Sequence, residues 1–145
     1  MRGRLPPWFK KRMPQPDKLA DMNVLLDGLS LHTICQSAIC PNLGDCFTDG
    51  TVTFLILGDV CTRNCTFCAV KKGLPGLVDE EEPQHLADAV EKLALQHVVI
   101  TSVTRDDLPD GGAAQFARTI ALLKERANRS VVEVLVPDFC GWNQP

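Results

Sequence analysis

Six of the seven cysteines fall into two tight groups, Cys35, Cys40 and Cys46 as C-x4-C-x5-C, and Cys61, Cys65 and Cys68 as C-x3-C-x2-C. Cys140 stands apart. Each group lies within about a dozen residues, so its thiolates can converge on one centre at little loop-closure cost. An odd cysteine count with no export signal argues against a disulfide framework. Three per group is the informative number. A closed structural zinc site takes four ligands, and a plain electron-transfer cluster takes four thiolates. A four-iron cube held by three cysteines leaves one iron free to bind something else. Zinc would need His32 beside the first group and His85 or His97 beside the second, and neither group has paired C-x2-C knuckles. A zinc-stabilised binding module and an iron–sulfur electron carrier stand as the alternatives.

The remaining composition narrows the class. The 145 residues suffice for one domain with a core. Fifteen Lys and Arg against 18 Asp and Glu give a net charge of −3, which does not suit a nucleic-acid coat. The longest uncharged stretch, Gly28 to Gly44, carries His32, Thr33, Gln36, Ser37 and Asn42 and is no membrane span. Arg2, Arg4, Lys10, Lys11 and Arg12 are not followed by an apolar segment of the signal-peptide kind. These features predict a cytoplasmic protein with no nucleic-acid or membrane partner.

Hydrophobic patterning predicts an α/β fold. Thr51 to Leu57 is a nearly continuous apolar run, the mark of a parallel strand covered on both faces. Val98 to Thr101 and Val131 to Val136 read as two further strands, the last stopped by Pro137. Between them, Pro83 suits the first turn of a helix that follows Glu80, Glu81 and Glu82, with Leu86, Ala89, Val90, Leu93 and Ala94 along one face. Ala113 to Ala127 is a second helix, with Phe116, Ile120 and Leu123 facing inward. The order β-α-β-α-β implies a parallel sheet with right-handed crossovers. A full eight-unit barrel takes about 250 residues, so these are three strands of something larger or a small open sheet. Lys71 to Asp79 reads as a loop, and Met1 to Asp27 as an arm with a weak helix over Leu19 to Leu26, docked through Trp8 and Phe9.

Parallel α/β folds keep their chemistry in the loops after strands. Cys61 to Cys68 follows the first strand and Thr101 to Asp107 the second, which puts both at one rim. Thr101, Ser102, Arg105, Asp106 and Asp107 are therefore candidate cofactor contacts, although Asp106 and Asp107 also suit a turn in which Arg105 pairs with them. Glu133 interrupts an otherwise apolar strand, and a buried carboxylate there needs a partner, either Arg105 or a polar group of the cofactor. His32, His85 and His97 read as packing or surface residues.

Cys61-Thr-Arg-Asn-Cys65-Thr-Phe67-Cys68, just after a first strand, resembles the radical S-adenosylmethionine (SAM) signature. The flanking segments resemble one family within it, lipoyl synthase: Leu31 to Cys35, Ala38 to Asn42, Phe54 to Arg63, Val99 to Val103, Arg105 to Ala113 and Val134 to Phe139, in that order. The resemblance runs from Pro7 to about Phe139. It implies the first β-α-β-α-β units of a partial (β/α) radical SAM barrel over residues 51–145, preceded by a cysteine-bearing N-terminal extension over residues 1–50. It further implies that Cys61, Cys65 and Cys68 hold a [4Fe–4S] cluster whose open iron chelates SAM, and that Cys35, Cys40 and Cys46 hold an auxiliary [4Fe–4S] cluster that supplies sulfur. The implied reaction inserts two sulfur atoms into an octanoyl group on a lipoyl-carrier domain, with a reduced flavodoxin or ferredoxin type of electron donor. Gln36 and Ser37 stand where the family shows an acidic pair, and nothing here matches the C-terminal Arg-Ser-Ser motif that completes the auxiliary cluster. The chain thus resembles the family's N-terminal half, and turnover is expected to need the remainder.

Overall fold

The structure is a computed structural model and describes residues 6, 16–38 and 40–139. Trp8, Phe9, the basic residues before Met13, and Cys140 lie outside the described residues. The chain runs through α1 (Pro16–Gly28), β1 (His32–Thr33), α2 (Ile34–Ser37), α3 (Leu43–Thr48) and β2 (Thr51–Ile56). It continues through β3 (Val60–Cys61), β4 (Lys71–Lys72), α4 (Glu82–Lys92), β5 (His97–Ser102), α5 (Ala113–Arg126) and β6 (Val131–Leu135). The main sheet has the order β1-β2-β5-β6, and β3 pairs with β4 in a separate two-stranded ribbon. β2, β5 and β6 are parallel, in a register that sets Thr51 beside His97 and His97 beside Val131. This is the expected β-α-β-α-β order, a partial (β/α) arrangement.

Strand pleating divides the sheet into two faces. Val52, Phe54, Ile56, Val98 and Ile100 are sealed, each at most 1% exposed. They form one cluster with Leu86, Ala89 and Val90 of α4 and Phe116 and Leu123 of α5. On the opposite face, Thr51, Thr53, Val99 and Thr101 are half-buried, and Val131 and Leu135 are 60% and 53% exposed. The expectation of strands covered on both faces is thus corrected for β5 and β6. Their second face has no layer packed over it among the described residues, and only Leu55 of β2 is sealed there.

Three other expectations change. The weak helix expected over Leu19 to Leu26 is the longer α1, and its Met22 and Leu26 enter the common core. The segment from Lys71 begins as a strand, β4, rather than a loop. The apolar stripe of α4 stops earlier than its periodicity suggests: Leu93 is the C-cap and Ala94 leaves in the left-handed region at φ 47°. α5 also buries polar residues on its inner side, with Thr119 fully enclosed and donating to the Gln115 carbonyl at 2.8 Å.

Gly112 precedes α5 at φ 92° and has no room for a side chain, because a Cβ there would collide with Cδ1 of buried Leu57. Gly76 has open space around it. Gly112→Ala should therefore cost about 1–3 kcal/mol, whereas Gly76→Ala should leave stability within about 0.5 kcal/mol. Urea midpoints of the two variants decide this, and equal midpoints would contradict the packing described.

Candidate iron–sulfur and SAM site

The second cysteine group begins where β2 ends. Leu57 leaves the strand at φ 68° and Gly58 follows at φ 93°. A left-handed leucine costs about 1–3 kcal/mol and persists only where its surroundings enforce it. The turned chain forms β3, whose Cys61 lies beside Lys72 of β4, and the Gly73 N–H donates to the Cys61 carbonyl at 3.0 Å. Cys61 and Cys68 are half-buried against the core, while Cys65 is exposed. Phe67, the aromatic before the last cysteine, is 92% exposed.

The loop after β5 is tied to this cysteine loop. The Thr104 N–H donates to Cys61 Sγ at 3.3 Å, and the Thr62 N–H donates to the Thr104 carbonyl at 3.1 Å. The Thr62 hydroxyl lies 3.0 Å from both that carbonyl and Asp106 Oδ2, and it accepts from the Asp106 N–H. Arg63 forks onto two carboxylates: Nε and Nη2 reach Asp106 at 2.9 and 2.7 Å, and Nη1 and Nη2 reach Asp138 at 2.9 Å each. These acceptors hold the Arg63 guanidinium firmly protonated, Asp106 first and Asp138 second. One arginine between two cysteines thus joins the loops that follow β2, β5 and β6.

The candidate cofactor residues divide. Thr101 donates to the Leu135 carbonyl at 3.2 Å, and Ser102 Oγ is buried without a hydrogen-bond partner. Arg105 is 2% exposed and bonds Asp107 through Nε and Nη2, Leu57 O through Nη1 at 3.2 Å, and Gly76 O through Nη2 at 3.0 Å. Asp107 therefore pairs with Arg105 as the turn reading has it, whereas Asp106 belongs to Arg63. Glu133 corrects the expectation of burial: its side chain is 51% exposed and meets His97 Nε2 at 3.1 Å, not Arg105. It sits on the open face because the register places it beside Val99.

The first cysteine group has its own scaffold. β1 pairs antiparallel with β2, His32 beside Leu55 and Thr33 beside Phe54. Fully buried Thr33 caps α2, accepting from the Gln36 N–H at 3.3 Å and donating to Gln36 Oε1 at 2.8 Å. Gln36 Nε2 in turn donates to Asn23 of α1 at 2.7 Å, a bond that a carboxylate in its place could not give. Cys35 is buried on α2, the Cys40 N–H donates to the Cys35 carbonyl at 3.1 Å, and α3 carries Cys46. Burial pushes the Cys46 thiol up, and the neighbouring Cys35, Cys40, Asp45 and Asp49 add to the effect.

All six described cysteines are free. Among the described residues, no three His, Cys, Asp or Glu side chains converge tightly enough for a single metal ion. The donor sets fit an iron–sulfur cube: three free thiols in each group, an amide already aimed at Cys61 Sγ, and the unpartnered Ser102 hydroxyl at the neighbouring strand end. No helix among the described residues is long and apolar enough to cross a membrane.

Residues 55–136 match the family model of the radical SAM superfamily, and the chain belongs to that superfamily. Within it, the chain is similar to curated lipoyl synthases. It is 54% identical to that of Nitratidesulfovibrio vulgaris (strain DP4) over 138 residues, covering 95% of this chain and 46% of the relative. Against the lipoyl synthase of Caldanaerobacter subterraneus subsp. tengcongensis, identity is 56% over 141 residues, 97% of this chain and 49% of the relative. Against that of Thermus thermophilus it is 53% over 137 residues, 94% of this chain and 42% of the relative. The likeness seen in short motifs therefore extends over nearly the whole chain, which spans about half the length of the curated relatives it matches.

Sequence reasoning missed Thr62, Arg63, Asp138 and the Thr104 amide as parts of this site. Arg63 and Asp138 lie 75 positions apart and carry no common motif. Only the position of Arg63 between two cysteines pointed to it.

The Arg63 fork can be tested directly, because Arg63→Lys keeps the charge but cannot fork. The change should speed amide exchange at Thr104 and Asp106 several-fold while altering global stability by less than about 1 kcal/mol, since the pairs are partly exposed. A loss of several kcal/mol would show the clamp to be structural instead. A further prediction concerns acid. The Arg105 guanidinium holds Asp107 below the usual carboxylate range, and the Ala114 and Gly112 amides do the same for Asp110. Their folded pKa values lie below the unfolded ones, so the stabilisation is full above about pH 4 and lost as pH falls through the folded values. Asp110→Asn should flatten the acid side of a stability–pH curve measured by circular dichroism; an unchanged slope would refute the cap.

Proposed function

We propose that this chain carries the radical SAM portion of a lipoyl synthase, in which sulfur is inserted into an octanoyl group attached to a lipoyl-carrier domain. Cys61, Cys65 and Cys68 are the ligands of a [4Fe–4S] cluster that binds SAM, and Cys35, Cys40 and Cys46 those of a second, auxiliary [4Fe–4S] cluster. Residues 1–50 are then the auxiliary-cluster extension and residues 51–145 the barrel portion. A reduced flavodoxin or ferredoxin type of protein supplies electrons, and the setting is cytoplasmic. The observation that carries this reading beyond the superfamily is the second trio of free thiols on its own capped scaffold, in a chain 54% identical over 95% of its length to a lipoyl synthase.

A cluster held by Cys61, Cys65 and Cys68 would supply the electron for reductive cleavage of SAM, the chemistry that starts hydrogen abstraction from an octanoyl chain. The protein's part is orientation. The Thr104 amide directs its dipole at Cys61 Sγ and fixes where that sulfur sits. Thr101 and Ser102, at the carboxyl end of β5, are the SAM contacts best supported, because the Ser102 hydroxyl has no partner of its own. Arg105, Asp106 and Asp107 act on SAM through the loop they hold. Glu133 lies on the same sheet face as Thr101 and keeps a carboxylate oxygen available beside His97.

Anaerobic reconstitution tests this. Two cubes should bring about eight iron and eight sulfide per chain, with broad visible absorption. SAM should alter the electron paramagnetic resonance of the reduced protein. Replacing Cys61, Cys65 and Cys68 by Ala should remove the SAM response and leave about half of the iron; replacing Cys35, Cys40 and Cys46 should leave the SAM response. Stoichiometric zinc without sulfide would favour a zinc-stabilised module, and iron–sulfur without any SAM response an electron carrier.

A further inference from the structure

Glu82 is the most enclosed carboxylate among the described residues, and the assigned cysteine chemistry gives it nothing to do. It stands at the start of α4, 4% exposed, next to Pro83. Its Oε2 accepts from the Leu57 N–H at 2.9 Å and from Gln115 Nε2 at 3.2 Å, and Gln115 also donates to the Asp79 carbonyl at 2.8 Å. On the other side of the same residue, Arg105 Nη1 donates to the Leu57 carbonyl at 3.2 Å. Leu57 is therefore gripped by its N–H and by its C=O, from two different elements. It is also the residue held at φ 68°, four positions before Cys61.

A carboxylate serving only to cap α4 would bond amides of its own helix. This one reaches back 25 positions to the end of β2 instead. Burial pushes its carboxyl above the ordinary range while the Leu57, Gln115 and Gly58 donors pull it back, so the site tolerates an enclosed acid for the sake of those bonds. Arg105, 2% exposed, is enclosed in the same way. Gly112 leaves room for the Leu57 side chain, which a Cβ at that position would overlap.

We infer that Glu82 and Arg105 are positioning residues that lock Leu57 in its left-handed conformation and thereby aim the Cys61–Cys68 loop. The inference rests on the assignment of those cysteines as cluster ligands. It adds a device for holding the loop in a cluster-ready shape before iron arrives. With the turn set in advance, the loop's ordering need not be supplied by cluster binding. The grip acts through Leu57 and Gly58 and touches neither cluster nor SAM.

The experiment reads the turn and the cluster separately. In the iron-free chain, Glu82→Ala should speed exchange of the Leu57 amide by about a hundredfold or more, with Phe116 and Leu123 amides near wild type. In the reconstituted chain, the same variant should lose iron to a chelator at least about tenfold faster than wild type. Leu57→Gly removes the penalty for positive φ, so in a chain already carrying that change Glu82→Ala should add little further loss. Arg105→Lys, which keeps charge but cannot reach both carbonyls and Asp107, should give the same pattern more weakly. Wild-type exchange at Leu57, or equal iron retention, overturns the inference. So does a uniform loosening that Leu57→Gly does not relieve, since that is mere loss of fold. If Glu82→Ala does not fold, Arg105→Lys decides by the same two readings, because it loosens the Leu57 carbonyl while both Glu82 bonds stay in place. Failure of the wild-type chain to take up iron and sulfide would overturn the cysteine assignment while leaving the exchange result to stand.

Discussion

A parallel strand delivers its chain to the carboxyl edge of the sheet, and β2 delivers it through a left-handed leucine. Most of what distinguishes this rim is arranged around that one conformation. The Leu57 side chain stays in the core, its backbone groups meet Glu82 and Arg105, and Gly112 gives up a side chain to make room. The starts of α4 and α5 are drawn to the same point through Gln115. A local backbone penalty is offset by bonds from two separate segments, which is the usual way a strained turn survives at a functional site.

The second organising interaction is the Arg63 fork. Parallel strands have no hairpins to hold their carboxyl ends together, so the loops that follow them need side-chain ties. Arg63 ties three such loops with two carboxylates, and the Thr62–Thr104–Asp106 bonds add a finer stitch beside Cys61. The cysteine loop is thereby fastened by the two residues that follow its first cysteine.

Much of this was legible in the sequence because the signals were periodic or local. The three long strands showed as apolar runs, α4 began beside Pro83, and the cysteine spacing singled out the six thiols. β1, β3 and β4 are two residues each and offer no period to detect. Glu82 could not be told from Glu80 and Glu81, because the difference lies in which one the helix start turns toward β2. Glu133 looked buried because its strand is apolar on both sides, yet the face it shares with Val131 and Leu135 is open. Long-range pairs such as Arg63 with Asp138 depend on topology, which spacing alone does not carry.

The two-residue pairing of β1 with β2 has a consequence for how this chain can vary. Cys35 comes two positions after Thr33, which is registered against Phe54 and also caps α2. There is no slack between the pairing and the thiol. A deletion or insertion between residues 33 and 35 would fall in the first turn of α2, moving Cys35 by about 1.5 Å along the helix and turning its side chain by about 100°. Length changes before β1, between Gly28 and Leu31, would leave Cys35 registered where it is. The edge strand thus works as a ruler whose zero mark is Thr33, dividing positions where indels are neutral from those where one residue more or less separates the two thiol groups from their common frame.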